Sequence, residues 1–200
     1  MLPDTDQNRS AINYLEKEIK QCDFITSTEN HAKLEKPQIA EDYNIVLYSD
    51  GACRGNPGPG GWGVLAQNSK GDVLFESCGF ERDTTNNRME LSGAIESIKK
   101  LKTFYDEENQ GDNLEDLRIL LFSDSKYVVD GIQKWVPGWK KRGWKKADKK
   151  PPENLDLWQN LDELYEKFSD IEFRWVKGHS GHPQNERCDE LANLAIDDSL

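Results

Sequence analysis

Two aspartates stand at the ends of apolar runs. Asp50 closes "NIVLYSD" and Asp124 closes "LRILLFSD", and both runs have the composition of strands buried on both faces. An ionised carboxylate at the end of a buried strand costs several kcal/mol unless it is paired or holds a cation. Two further acids sit in comparable places. Glu90 falls in the first turns of a helical segment, beside its apolar stripe, and Asp189 lies beside Leu191 and Ala192 near the C-terminus. Each acid alone would read as a cap or an ion-pair partner. Four of them, with no matching buried bases and no His/Cys cluster, read as a site for a hard divalent cation, Mg²⁺ or Mn²⁺ rather than zinc.

A competing chemistry is written just after Asp50. In "SDGACRGNPGPGGWG", Gly58, Gly60 and Gly63 match G-x-G-x-x-G. A dinucleotide fingerprint must close a strand and open a helix whose N-terminus receives the pyrophosphate. Here the glycines lead into "WGVLAQ", a strand by composition, and Pro59 interrupts the motif. The segment reads as a hairpin turn, and no nucleotide cofactor is expected. His179 and His182, in "KGHSGHP", lack the companions that a zinc site needs. Cys22, Cys53, Cys78 and Cys188 form no C-x-x-C pair and read as free, reduced thiols.

The elements that must position these residues follow from hydrophobic period. After "NIVLYSD" come "GWGVLAQNS" and "DVLFESCGFER", two strands joined at Lys70-Gly71. The period then switches. "TTNNRMELSGAIESIKKLKTF" places Leu91, Ala94, Ile95, Ile98 and Leu101 on one helical stripe, with Thr85 or Asn86 as its cap. An acidic loop at 106–116 precedes the second buried strand, and a short helix starts at Ser125. A basic strip, the helix "NLDLWQNLDELYEKF", the strand "IEFRWV" and the helix "NERCDELANLAI" complete the order. Three hairpin-linked strands followed by alternating units imply an α/β domain with a mixed sheet covered by helices.

Charge is unevenly placed. The 200 residues carry a formal net charge of −11, yet Lys134–Lys150 holds eight Lys or Arg against the single acid Asp148. Clustered lysines repel one another and fit a phosphate track better than a solvated face. Trp135, Trp139 and Trp144 interleave with them, and Trp135 and Trp144 read mainly as packing residues. Pro137-Gly138 interrupts the strip where a helix would continue, and Pro removes a helical hydrogen bond. Residues 1–42 are polar and acidic and read as an extension or a short docking helix, with the main domain at 43–200. No secretory signal or apolar span is visible, so a cytoplasmic protein without membrane contact is expected.

"YSDGACRGNPGPGGWG", "TTNNRMEL", "FSDSKYV", "WKKRGWKKADKKP" and "WVKGHSGHPQNERCDELA" together resemble the type 1 ribonuclease H family in its bacterial form, from about Tyr43 to Ile196. The resemblance implies a five-stranded mixed sheet, three antiparallel strands then two parallel ones, flanked by helices. It implies hydrolysis of the RNA strand of RNA–DNA hybrids by two metal ions, Mg²⁺ with Mn²⁺ as a substitute, leaving 5′-phosphate and 3′-hydroxyl ends. Carried over by position, Asp50, Glu90, Asp124 and Asp189 become the metal ligands, and His179 a mobile histidine that assists proton transfer or product release.

Further positions carry over as substrate contacts. Asn56, Thr85 and Asn86 would hold a DNA-strand phosphate, and Asn87 would reach the minor groove. Backbone near Cys53 would sense 2′-hydroxyls. Asn185 would support the metals, and Lys126 adds charge beside the cleft. Lys140, Lys141, Arg142, Lys145 and Lys146 match the family's basic protrusion, at about 134–150. A monomer acting on hybrid duplexes is expected. The alternatives are an inactive hybrid-binding relative and a DNA-cutting nuclease of the same superfamily.

Overall fold

The computed structural model describes residues 43–108, 116–168 and 170–200. The N-terminal extension, and most of the acidic loop expected at 106–116, lie outside these residues. Five strands form one sheet: β1 (Ile45–Cys53), β2 (Gly58–Asn68), β3 (Val73–Thr84), β4 (Arg118–Ser123) and β5 (Asp170–Trp175). Their spatial order is β3-β2-β1-β4-β5, antiparallel from β3 to β1 and parallel from β1 to β5. The expected topology is the observed one.

The central strand is apolar throughout because both of its faces are covered. Ile45 and Leu47 pack in the larger core cluster, while Val46 and Tyr48 pack in a second cluster with Leu120, Phe122 and Cys188. Helix α1 (Asn86–Glu108) lies on β1 and β2 and meets α4 (Leu155–Lys167), placing Leu91, Ile95, Ile98, Trp158 and Leu161 in the larger cluster. Helix α5 (Pro183–Asp197) crosses β1, β2 and β3. Its anchor is Arg187, whose guanidinium donates to both oxygens of the buried Glu76 on β3, at 3.1 and 2.9 Å.

The glycine-rich stretch differs from expectation. The turn is made by Arg54–Pro57, and Gly58, Gly60 and Gly63 belong to β2 itself. Close approach explains one of them. A Cβ on Gly63 would lie 2.1 Å from the Cys188 carbonyl oxygen, so a side chain there would push α5 off the sheet.

The basic strip also departs from a simple break. Ser125 caps α2 (Lys126–Asp130), its hydroxyl accepting from the Val128 amide at 3.4 Å. A π-helical turn (Gly131–Trp135) then leads straight into α3 (Val136–Lys141), where Pro137 sits in the first turn. The wider i→i+5 spacing of the π turn, in which the Val136 amide donates to the Gly131 carbonyl, carries the helix up to a residue that has no N–H to donate. Trp135 and Trp139 pack edge-on against the fully buried Trp158, at ring-centroid distances of 6.4 and 5.7 Å, and Trp144 packs against the same core, so the tryptophans of the strip are packing residues. Cys53 and Cys188 are free thiols as expected, whereas Cys78 is disulfide-bonded, which corrects the reading of four reduced cysteines.

Candidate active site

Strand register brings the first two acids together. Ser49 of β1 pairs with Ser123 of β4 in the parallel ladder. Asp50 and Asp124 follow at once, side by side where the parallel β1–β4 ladder ends; β1 itself does not stop at Asp50, as its apolar run suggested, but continues to Cys53 paired with β2. Glu90 arrives from α1 because Gly51 lets the helix touch the strand: a Cβ there would lie 2.3 Å from the Glu90 amide nitrogen.

Asp50, Glu90 and Asp124 each offer an oxygen within 4.8 Å of the others. Asp50 and Glu90 are buried, and no Lys or Arg forms an ion pair with any of the three among the described residues. Burial first, then the charge of Asp124, pushes Asp50 up to about 8, against a short 2.7 Å hydrogen bond from the Gly51 amide that favours its anion. Burial and the charges of Asp50 and Asp124 push Glu90 in the same direction. One Glu90 oxygen, Oε2, is buried without a partner. Packed carboxylates with upward-shifted titration and an orphaned oxygen fit a divalent cation, whose charge would relieve both burial and repulsion.

Asp189 stands outside this tight triad, on α5. Its charge still contributes to the rise at Asp50, and its Oδ1 accepts from Asn193 Nδ2 at 3.0 Å. Asn185, one turn earlier, is buried and donates from Nδ2 to Asp124 Oδ2 at 3.3 Å. His179 is exposed, in the loop between β5 and α5, with a left-handed φ of 48°. His182 lies instead against Tyr48 and Phe122, at ring-centroid distances of 5.7 and 5.8 Å, and burial lowers its pKa. The two histidines therefore occupy different environments, as a zinc pair would not.

The turn residues converge on the N-terminus of α1. Asn56 Oδ1 accepts from the Asn86 amide at 3.3 Å, joining the β1–β2 turn to the helix start, and Thr85 immediately precedes that start. Asn86 Nδ2 in turn donates to Glu90 Oε1 at 3.3 Å, linking this polar corner to the carboxylates. Cys53 donates its thiol to the Thr84 carbonyl at 3.5 Å, and Asn87 is exposed.

The chain matches the RNase H family model over residues 42–197. It belongs to the ribonuclease H family. Among its relatives is "Ribonuclease H" of Alcanivorax borkumensis, 52% identical over 155 residues, which cover 78% of this chain and 93% of that one. Among solved structures, LC9-RNase H1, described as a type 1 RNase H with the type 2 active-site motif, superposes with a TM-score of 0.65 at 35% identity, covering 80% and 75% of the two chains. LC11-RNase H1, solved in complex with an RNA/DNA hybrid, does so with a TM-score of 0.59 at 30% identity, covering 78% and 98%.

Within this ribonuclease H family frame, the basic strip divides. Lys141, Arg142 and Lys145 are exposed and Lys146 half-buried. Lys140 is held by α4, pairing with Asp162 at 2.8 Å and with Glu166. The two acids help line a surface cavity of about 600 Å³ beside Trp144. Sequence reasoning grouped all five bases together, since the partners of Lys140 lie 22 and 26 residues away. It also passed over Trp175, whose only local signal is its place at the end of β5.

Proposed function

We propose that this chain is an endonuclease that hydrolyses the RNA strand of RNA–DNA hybrids with two divalent cations, Mg²⁺ or Mn²⁺, leaving 5′-phosphate and 3′-hydroxyl ends. The single observation carrying this reading is the triad Asp50, Glu90 and Asp124 just beyond the end of the parallel β1–β4 ladder, in a member of the ribonuclease H family. The catalytic unit in this reading is 43–200, acting as a cytoplasmic monomer.

Asp50, Glu90 and Asp124 would hold the cations, with Asp189 completing the set from α5 and Asn185 steadying Asp124. When bound, divalent cations there supply Lewis-acid charge to a phosphodiester and lower the pKa of water. The chain's own groups do the rest. Asn56, Thr85 and Asn86 present amides and short polar side chains at a helix N-terminus, a setting for a DNA-strand phosphate. Asn87 and the backbone around Cys53 would meet the minor groove of the hybrid, where 2′-hydroxyls distinguish RNA from DNA. Lys141, Arg142, Lys145 and Lys146 follow the backbone further along, while Lys126 adds charge beside Asp124. His179, exposed on its loop, would carry a proton to or from the reacting phosphate.

The test is a cleavage assay on labelled RNA–DNA, RNA–RNA and DNA–DNA duplexes with Mg²⁺ and with EDTA. Cutting of RNA only in the hybrid, and only with metal, supports the reading. Binding of the hybrid without cleavage would establish an inactive relative, and cleavage of duplex DNA a different nuclease.

A further inference from the structure

Trp175 is the last residue of β5, paired with Ser123 of β4, so it stands beside the residue that leads into Asp124. Its indole N–H donates to the Asp124 backbone carbonyl at 2.9 Å. Its ring carries the Lys126 ammonium 4.8 Å from the centroid. It remains 41% exposed, whereas Phe173, two residues earlier on the same strand, is buried in the core. This large aromatic is left at the surface with one edge on the Asp124 backbone and one face under a cation, both of them groups at the site. Immediately after it the chain enters the loop that bears His179, tied at its root by the Val176 amide to the Ser123 carbonyl at 3.1 Å.

We propose that Trp175 is a positioning residue with two separable actions: its N–H fixes Asp124 for metal binding, and its π-face holds Lys126 at the cleft edge for the substrate phosphate backbone. The physical basis is ordinary. A hydrogen bond to the residue that bears a ligand orients that ligand, and such outer partners matter to metal affinity. A cation over an indole face is drawn to the ring quadrupole and loses freedom, which aims its charge. Ser123, Asp124 and Lys126 all lie within four positions of the β4–α2 junction, so one side chain from β5 can brace the whole turn. The Lys126 half of the inference rests on the hybrid-substrate reading; the Asp124 half does not.

Three variants separate the two actions: Trp175→Phe keeps the π-face and removes the N–H, Lys126→Gln removes the cation, and Trp175→Leu removes both functions of the ring. Two measurements need no turnover. One is the rise in melting temperature of the metal-free protein on titration with Mn²⁺ or Mg²⁺; the other is the Kd for an RNA–DNA hybrid in EDTA. Trp175→Phe should shift the metal midpoint by about tenfold and leave the hybrid Kd within about twofold of wild type. Lys126→Gln should weaken hybrid binding and flatten its salt dependence, with the metal midpoint unchanged. Trp175→Leu should show both defects. A wild-type metal midpoint in Trp175→Phe would overturn the first action. Equal hybrid affinity in Trp175→Leu and Trp175→Phe would overturn the second. If the wild-type protein neither binds nor cuts the hybrid, the substrate reading fails while the metal arm still decides the role of Trp175 at Asp124.

Discussion

Asp50 lies directly opposite Gly63 in the antiparallel β1–β2 ladder. The space that a side chain at 63 would fill is taken by the Cys188 carbonyl of α5. The helix bearing Asp189 and Asn185 is thereby seated against the strand bearing Asp50. Gly63→Ala should therefore cost about 1–3 kcal/mol of stability by overpacking, and should lower cleavage beyond that cost because Asp189 moves away from Asp50. The check is kcat measured well below the variant's melting temperature; wild-type turnover would show that α5 can shift without consequence.

Asp50→Asn should reduce metal-dependent cleavage by about 10³-fold or more, because it removes the carboxylate shared by the triad. Hybrid affinity should survive, since the phosphate contacts lie elsewhere. In EDTA the variant should melt higher than wild type, because burial and the neighbouring charge of Asp124 both oppose the Asp50 anion. A lower melting temperature in EDTA would contradict that account.

The same shift sets a pH dependence. Asp50 titrates near about 3.9 in an unfolded chain and is held up to about 8 in the fold, with Glu90 raised in the same sense. Folding thus favours the protonated forms. Their contribution to stability is complete below the unfolded value and is lost as pH rises through about 8. The metal-free protein should melt progressively lower over that interval, and Asp50→Asn should flatten the trend. Metal affinity should rise over the same interval, as protons cease to compete.

The bases of the strip should not behave alike. Lys140→Ala breaks the pairs with Asp162 and Glu166 and should cost on the order of 1 kcal/mol of stability, with little change in the salt dependence of KM. Replacing Lys141, Lys145 and Lys146 with Ala should raise KM and reduce that salt dependence, leaving stability near wild type. Thermal melts beside KM at two ionic strengths distinguish the two groups.

His179→Ala should slow turnover by about 10²-fold, the lower end of general acid–base effects, without a comparable change in KM. The side chain is exposed and braces nothing in the core, so the melting temperature should stay unchanged. Equal kcat would remove it from the chemistry.

Much of this molecule is legible in the chain alone. Strand and helix identities follow from local periodicity, and Asp50 and Asp124 announce themselves as charges at the ends of buried runs. The basic strip is equally local, as is the polar corner formed by Asn56 and "TTNN". Other features were decided only in three dimensions, because they depend on which distant segments meet. The pairing of Ser49 with Ser123 sets the two aspartates side by side, and a one-residue slip would separate them. Of the glycines that mimic a nucleotide loop, Gly63 serves the seating of α5 on β2, a contact 125 residues away in sequence at Cys188. The Pro137 break is absorbed by a π-helical turn, a change of hydrogen-bond spacing that residue preferences do not reveal. Lys140 differs from its neighbours only through acids more than twenty residues away on α4. The chain's local pattern names the groups capable of chemistry; long-range register and packing decide which of them share a site.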